Sequence, residues 1–106
     1  MRRIRILASA RQDLTAGYRF YEKQAKGVGR YFLDTLYSDI ESLRISAGVH
    51  AVRFERYHRL LSRRFPWAVY DRVEGDEIRV YAIVDSRRNP DLIKNRLKGV
   101  REPGGY

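Results

Sequence analysis

Residues 59–88, RLLSRRFPWAVYDRVEGDEIRVYAIVDSRR, contain the pattern that decides the fold. Three runs in this stretch, residues 59–65, 67–73 and 77–84, are rich in the β-branched, aromatic and aliphatic residues typical of strands. Pro66 interrupts the chain after the first run, and Glu74-Gly75-Asp76 supplies turn residues after the second. We therefore predict a three-stranded antiparallel meander.

Alternation along these runs predicts which side chains share a face of the sheet. In the third run the alternation places one apolar set, Ile78, Val80, Ala82 and Val84, opposite the set Arg79, Tyr81 and Ile83. The nearly continuous apolar segment 81–84 indicates a central strand that is buried on both faces.

The residues before the meander predict a strand followed by two helices. Residues 3–8 alternate basic and apolar side chains, which is typical of a half-buried strand, and Ser9 is placed to cap the next helix. Apolar residues at helical spacing predict helices over residues 10–26 and 30–47. Their short connection favours an antiparallel hairpin, in which Gly17 would permit close approach of the second helix.

The remaining segments complete an α+β domain. Residues 50–57 allow a short strand, and Asn89-Pro90-Asp91 is typical of a helix start, here for a helix over residues 90–98. We predict an N-terminal strand, an antiparallel helix hairpin, a three-stranded antiparallel meander and a short C-terminal helix. The helices would cover one sheet face and leave a basic face on the other. This single domain would span residues 1–99, and residues 100–106 would form a flexible tail.

Composition restricts the class of protein. The 106 residues include 22 lysines and arginines against 13 acidic residues, and the net charge of +9 favours polyanionic or acidic partners. The chain has no cysteine, and His50 and His58 lack a set of partner ligands, so we expect neither a metal nor a cofactor. No apolar run has the length of a membrane span or resembles a signal peptide, so a cytoplasmic protein without membrane contact is expected.

Arginine is concentrated in the second half of the chain. Nine arginines lie between Arg53 and Arg88, whereas no lysine occurs between Lys26 and Lys94. The planar guanidinium binds phosphate or carboxylate groups through two parallel hydrogen bonds, and interleaved aromatic rings are able to stack on bases. A basic sheet surface for nucleic acid or an acidic partner is one interpretation. A solvated sheet face with the aromatic residues in the core is the other.

No Ser-His-Asp set, phosphate-binding glycine loop or paired-histidine motif is present.

Four segments together resemble the RelE/ParE superfamily of bacterial type II toxins: GVGRYF at 27–32, RFPWAVY at 64–70, VYAIV at 80–84 and SRRNP at 86–90. The resemblance covers about residues 3–98. It implies a toxin that is neutralised by a cognate antitoxin, which wraps an extended or helical segment over it. RelE-like members cleave messenger RNA in the ribosomal A site. ParE-like members inhibit DNA gyrase.

The RelE-type catalytic set is only partly matched. Arg88, with Arg87 beside it, corresponds to the late-loop arginine, and Arg64 is among the basic residues before the first meander turn. Trp67 stands where RelE has a mid-sheet arginine, and Lys94 stands near the position of the C-terminal tyrosine. The resemblance thus favours a gyrase-binding, ParE-like toxin. A RelE-like messenger RNA endonuclease with Arg64 and Arg88 as catalytic residues, and a non-toxic basic interaction domain, are the alternatives.

The expected partners follow from charge and from the resemblance. An acidic antitoxin with a helical, apolar-striped segment would bind the chain, and the target would be gyrase or the ribosome with its messenger RNA. The sequence leaves open whether the chain also forms a homodimer. The residues expected to contact the antitoxin or the target are Arg59, Arg63, Arg64, Trp67, Tyr70, Arg87, Arg88 and Lys94.

Overall fold

The sheet and its helices are seen in a computed structural model, which describes residues 2–54 and 56–100. In chain order the elements are β1 (Arg3–Ile6), α1 (Ala8–Gln24), α2 (Val28–Glu41), α3 (Leu43–Ser46), β2 (Val52–Arg53), β3 (Tyr57–Leu61), β4 (Trp67–Glu74), β5 (Glu77–Asp85) and α4 (Pro90–Lys98). The strands lie in the order β1-β5-β4-β3-β2, and β1 runs parallel to β5 while the other neighbours are antiparallel. The predicted α+β class and element order are confirmed. The predicted tail lies outside the described residues except for Val100.

Several predicted boundaries were wrong. Helix α1 begins at Ala8 after Leu7, so Ser9 is not the cap, and its hydroxyl instead donates to the carbonyl of Tyr81 at 3.2 Å. The second helix ends at Glu41 rather than at residue 47, and the short α3 follows. The first meander strand ends at Leu61, because Ser62 N–H bonds the carbonyl of Trp67 at 2.8 Å and closes the loop that contains Pro66.

A β-bulge in β5 changes the predicted faces of that strand. The register passes from Tyr70 opposite Ala82 to Asp71 opposite Val80, so Tyr81 is the extra residue on β5. The alternation therefore shifts by one position. Ile83 joins Ile78 and Val80 in the core beneath α1 and α2, while Ala82 and Val84 turn to the opposite face, contrary to the predicted set.

Helices cover both sheet faces. The larger core lies between the α1–α2 hairpin and one face, with Leu14, Phe32 and Leu36 fully buried. A second core forms on the other face, where Ile93 and Leu97 of α4 pack against the tyrosines of the sheet. The prediction that all helices share one face was therefore wrong for α4. Within the described ranges, no helix is long and apolar enough to cross a bilayer.

Two glycines set the spacing of the hairpin. A Cβ at Gly17 would lie 2.5 Å from the Phe32 ring, which confirms the predicted close approach. A Cβ at Gly29 would lie 2.6 Å from the carbonyl oxygen of Tyr18. Because that oxygen belongs to the α1 backbone, it cannot rotate away as a side chain can. Both helices therefore approach each other at positions that have no side chain.

The variant Gly29→Ala should lower the free energy of unfolding by about 1–2 kcal/mol, since forced overpacking outweighs the higher helix propensity of alanine. Urea denaturation measures this change. Gly99→Ala is the matched control, because its Cβ would meet no atom closer than the Arg96 carbonyl oxygen at 3.7 Å. Equal stability of the two variants would contradict a close backbone contact at Gly29.

Candidate functional site

Two loops meet at one end of the sheet. The loop after β3 and the loop after β5 are joined by the amide of Ser86, which donates to the carbonyl of Pro66 at 2.9 Å. Trp67 at the start of β4 pairs with Asp85 at the end of β5, because antiparallel neighbours begin and end at the same edge. We call residues 62–67 and 85–89 the two-loop end. It brings together four of the predicted binding arginines, Arg63, Arg64, Arg87 and Arg88.

The arginines of the two-loop end differ in their partners. Arg63 Nε lies 3.5 Å from Asp39 Oδ1 on α2, and Arg87 binds both carboxylate oxygens of Asp85, at 3.0 and 2.7 Å. Hydrogen bonding to Arg87 holds the pKa of Asp85 below its ordinary value. Arg64 instead donates to the hydroxyl of Tyr31 at 3.0 Å. Within the described parts of the chain neither Arg64 nor Arg88 forms an ion pair. Both guanidinium groups can therefore donate hydrogen bonds to an external anion.

An aromatic cluster supports these loops from beneath. Trp67 Nε1 donates to the hydroxyl of Tyr21 at 3.0 Å, and its ring centroid lies 5.0 Å from that of Phe32. Phe65 contacts the rings of Tyr21 and Tyr31, at 4.9 and 5.3 Å between centroids. Tyr31 remains 46% exposed and Phe20 56% exposed. Aromatic residues and arginine are the residue types that contribute most of the binding energy at protein–protein interfaces.

A cavity of about 140 Å³ opens next to Trp67 and Arg88. Asp13 of α1 reaches into its wall, where one carboxylate oxygen accepts from the amide of Ile83 at 2.9 Å and from Arg96 at 2.6 Å. Burial raises the pKa of Asp13, and these two partners oppose the rise. Arg96 also donates to the carbonyl of Ser9 at 3.2 Å. Asp13 and Arg96 thus join α1, β5 and α4 around the cavity.

The sequence prediction missed both members of this ion pair. Asp13 and Arg96 are separated by 83 positions and belong to different helices. No local spacing or motif indicates such a contact. The only related signal is that both helices contain several charged residues, and this does not distinguish Asp13 and Arg96 from their neighbours.

Three predicted binding residues lie away from the two-loop end. Tyr70 is 1% exposed on the sheet face that packs against α4, directly opposite Arg59 of β3. Burial raises the pKa of Tyr70, and the charge of Arg59 opposes the rise. Lys94 lies on the surface of α4 and lines a different cavity. Of the eight predicted residues the structure therefore brings together Arg63, Arg64, Trp67, Arg87 and Arg88, and separates Arg59, Tyr70 and Lys94 from them.

The geometry favours anion binding at the two-loop end. Arg64 is turned toward Tyr31 on α2, whereas Arg88 lines the cavity beside Trp67. The nearest carboxylates, Asp13 and Asp85, are already held by Arg96 and Arg87. A cationic, aromatic surface with its acids internally paired binds acidic groups through charge-assisted hydrogen bonds.

No protein-family model matches the chain, and no curated protein does either. The structure is similar to a solved chain described as "Chromosomal ParDE TA system from P. aeruginosa", with a TM-score of 0.73 and 22% sequence identity. The match covers 80% of this chain and 96% of that chain. At this identity the likeness concerns the fold. The chain therefore adopts the same fold as that ParDE chain, which agrees with the predicted order of an N-terminal strand, helices, an antiparallel meander and a short C-terminal helix.

Proposed function

We propose that the chain is the toxin of a type II toxin–antitoxin system, that it acts in the cytoplasm, and that it inhibits DNA gyrase by binding. The observation that carries this proposal is the two-loop end, where Arg64 and Arg88, which form no ion pair with the described residues, lie beside Tyr31 and Trp67 on a ParE-like fold. A cognate antitoxin would keep the toxin inactive by covering the same surface.

Binding is favoured over RNA cleavage by the environment of the candidate catalytic residues. Trp67 stands where a RelE-like enzyme has an arginine, and it is held in place by Tyr21 and Phe32. Lys94, which stands near the position of the catalytic tyrosine, lines a cavity that Arg88 does not line. General acid–base catalysis requires its groups within hydrogen-bonding reach of one substrate. Arg88 and Lys94 instead line separate cavities.

The antitoxin segment would be acidic and would carry an apolar stripe. Exposed ion pairs with Arg64 and Arg88 would contribute only about 0–1 kcal/mol each, so most of the affinity would come from apolar side chains buried against Phe20, Tyr31 and the edge of Trp67. Arg63 and Arg87 would join this surface once they exchange their internal acids for external ones. Arg59 and Lys94 would extend the contact beyond it, and Tyr70, buried directly opposite Arg59 in the β3–β4 register, would act by orienting Arg59.

A gyrase supercoiling assay with purified protein tests the proposal. The wild-type chain should block supercoiling, and the double variant Arg64→Ala/Arg88→Ala should need at least about tenfold more protein for the same effect, as the loss of two charge-assisted contacts implies. Arg2→Ala/Arg3→Ala is the matched control, because it removes the same charge beside the β4–β5 turn, at the other end of β5. It should inhibit as the wild type does.

Other outcomes distinguish the alternatives. Unaffected supercoiling at high molar excess would overturn the gyrase proposal. Codon-proximal cuts in translated messages, abolished by Arg88→Ala, would instead show a RelE-like endonuclease. Normal growth of cells that express the chain would indicate a non-toxic interaction domain. A short acidic reading frame next to this gene, with a DNA-binding N-terminal part, would support the toxin–antitoxin assignment without identifying the target.

A further inference from the structure

A second cavity, of about 380 Å³, lies between α4 and the side chains of Phe54, Arg56 and Tyr57 near the start of β3. It is on the sheet face opposite the helical hairpin, so it is separate from the two-loop end. Its volume falls within the range of small-ligand pockets. The residues that line it are Phe54, Arg56, Tyr57, Lys94, Leu97, Lys98 and Val100.

The cavity carries three cations. Lys94 and Lys98 are four residues apart on α4, which places both side chains on the same side of the helix. Like charges at this spacing destabilise a helix by about 0.2–0.5 kcal/mol. Among residues 2–54 and 56–100, neither lysine nor Arg56 forms an ion pair, whereas Arg5, Arg72 and Arg79 of the same sheet face each bind a glutamate. The cavity therefore concentrates positive charge that the described residues do not neutralise.

Aromatic side chains form one wall of the cavity. Tyr57 is 6% exposed, its hydroxyl donates to the carbonyl of Leu97 at 3.5 Å, and Arg56 lies over its ring at 6.0 Å. Phe54 has a φ of 51°, in the left-handed region that costs a non-glycine residue about 1 kcal/mol or more. Such strain is concentrated at ligand-binding positions, and here it places an aromatic side chain at the cavity.

We propose that this cavity binds a nucleotide. The phosphate would contact Arg56, Lys94 and Lys98, and the base would pack against Phe54 and Tyr57. A phosphate monoester carries close to two negative charges and presents three acceptor oxygens, which matches three cations better than the single charge of a carboxylate does. Aromatic walls accept any base, since every base has a π-face. The ligand is a free nucleotide or one nucleotide of a single strand, and this site does not depend on the proposed gyrase target.

Titration of the ¹⁵N-labelled protein with adenosine monophosphate, followed by NMR, tests the proposal. The amide resonances of Phe54, Tyr57, Lys94 and Lys98 should shift together, and adenosine without phosphate should bind at least about tenfold more weakly, as loss of charge-assisted bonds implies. A 5′-phosphorylated trinucleotide that binds about tenfold more tightly than the monophosphate would identify a single strand as the source of the nucleotide. Equal affinities would identify the free nucleotide.

The four lysines of the chain provide a matched pair of variants. Lys94→Gln/Lys98→Gln should weaken nucleotide binding at least about tenfold, while Lys23→Gln/Lys26→Gln, with the same change in net charge near the end of α1, should keep it within about twofold. Thermal unfolding should show that both double variants fold. Equal weakening in both would reveal non-specific attraction and overturn the site. Binding of an acidic, apolar peptide at this cavity, with no shift of these resonances by adenosine monophosphate, would overturn it in favour of a protein partner.

Discussion

Replacing Asp71 by asparagine is expected to raise the free energy of unfolding at pH 7 by about 1–2 kcal/mol. Asp71 is fully buried in β4, opposite His58 and Val80, and both carboxylate oxygens lack a hydrogen-bond partner among the described residues. Burial raises its pKa to about 6, with the charge of His58 opposing the rise. A carboxylate in this position is therefore costly when ionised.

The sign of the pH dependence follows from that shift. The pKa of Asp71 in the folded chain, about 6, lies above the ordinary value of 3.8, so the folded state binds more protons between these pH values. The resulting stabilisation is complete below about pH 4 and is lost as the pH rises to about 6, for a total of about 3 kcal/mol. Asparagine has no charge to lose, but its buried amide still lacks partners, which reduces the net gain at pH 7.

Urea denaturation of the wild type and Asp71→Asn from pH 4 to pH 8 measures the effect. The advantage of the variant should grow between pH 4 and pH 6 and stay constant above. Asp76→Asn is the control, since that side chain is 78% exposed in the β4–β5 turn, and it should leave the profile unchanged. A constant difference between Asp71→Asn and the wild type across the whole range would show that Asp71 does not titrate as described.

Asp13→Ala is expected to lower the free energy of unfolding by about 2–3 kcal/mol. The change removes the carboxylate that accepts from Arg96 and from the amide of Ile83. Arg96 would keep the carbonyl of Ser9, but one of its nitrogens already lacks a partner among the described residues. The Asp13 side chain is 19% exposed, so the loss should be smaller than for a fully buried ion pair.

The matched control is Asp34→Ala, which removes the i,i+4 partner of Arg30 on the exposed surface of α2. That variant should lose no more than about 0.5 kcal/mol. Hydrogen exchange at the Ile83 amide provides a second measurement, since Asp13→Ala should speed it beyond the change in global stability. Equal losses in Asp13→Ala and Asp34→Ala would contradict a joining role for Asp13.

The elements of the fold were predictable because their signals are local. Apolar periodicity identified the helices and the meander, Pro66 and Gly75 marked the turns, and Asn89 was correctly predicted to cap α4, where its side chain accepts from the amide of Asp91. The concentration of arginine in residues 53–88 was also visible in the sequence. The sequence alone thus determined the α+β class, the element order and the basic character of residues 53–88.

Only the tertiary structure decided how those residues are grouped. The bulge at Tyr81 depends on the register between β4 and β5, and it changes which side chains of β5 face each core. The Asp13–Arg96 pair joins residues 83 positions apart. Such contacts depend on packing between distant elements, and local propensity contains no information about them. For this reason Arg88 was predictable as a basic residue of the loop after the third meander strand, whereas the place of Arg64 in a loop beyond the end of β3 was not. The separation of Arg59, Tyr70 and Lys94 from the two-loop end was not predictable either.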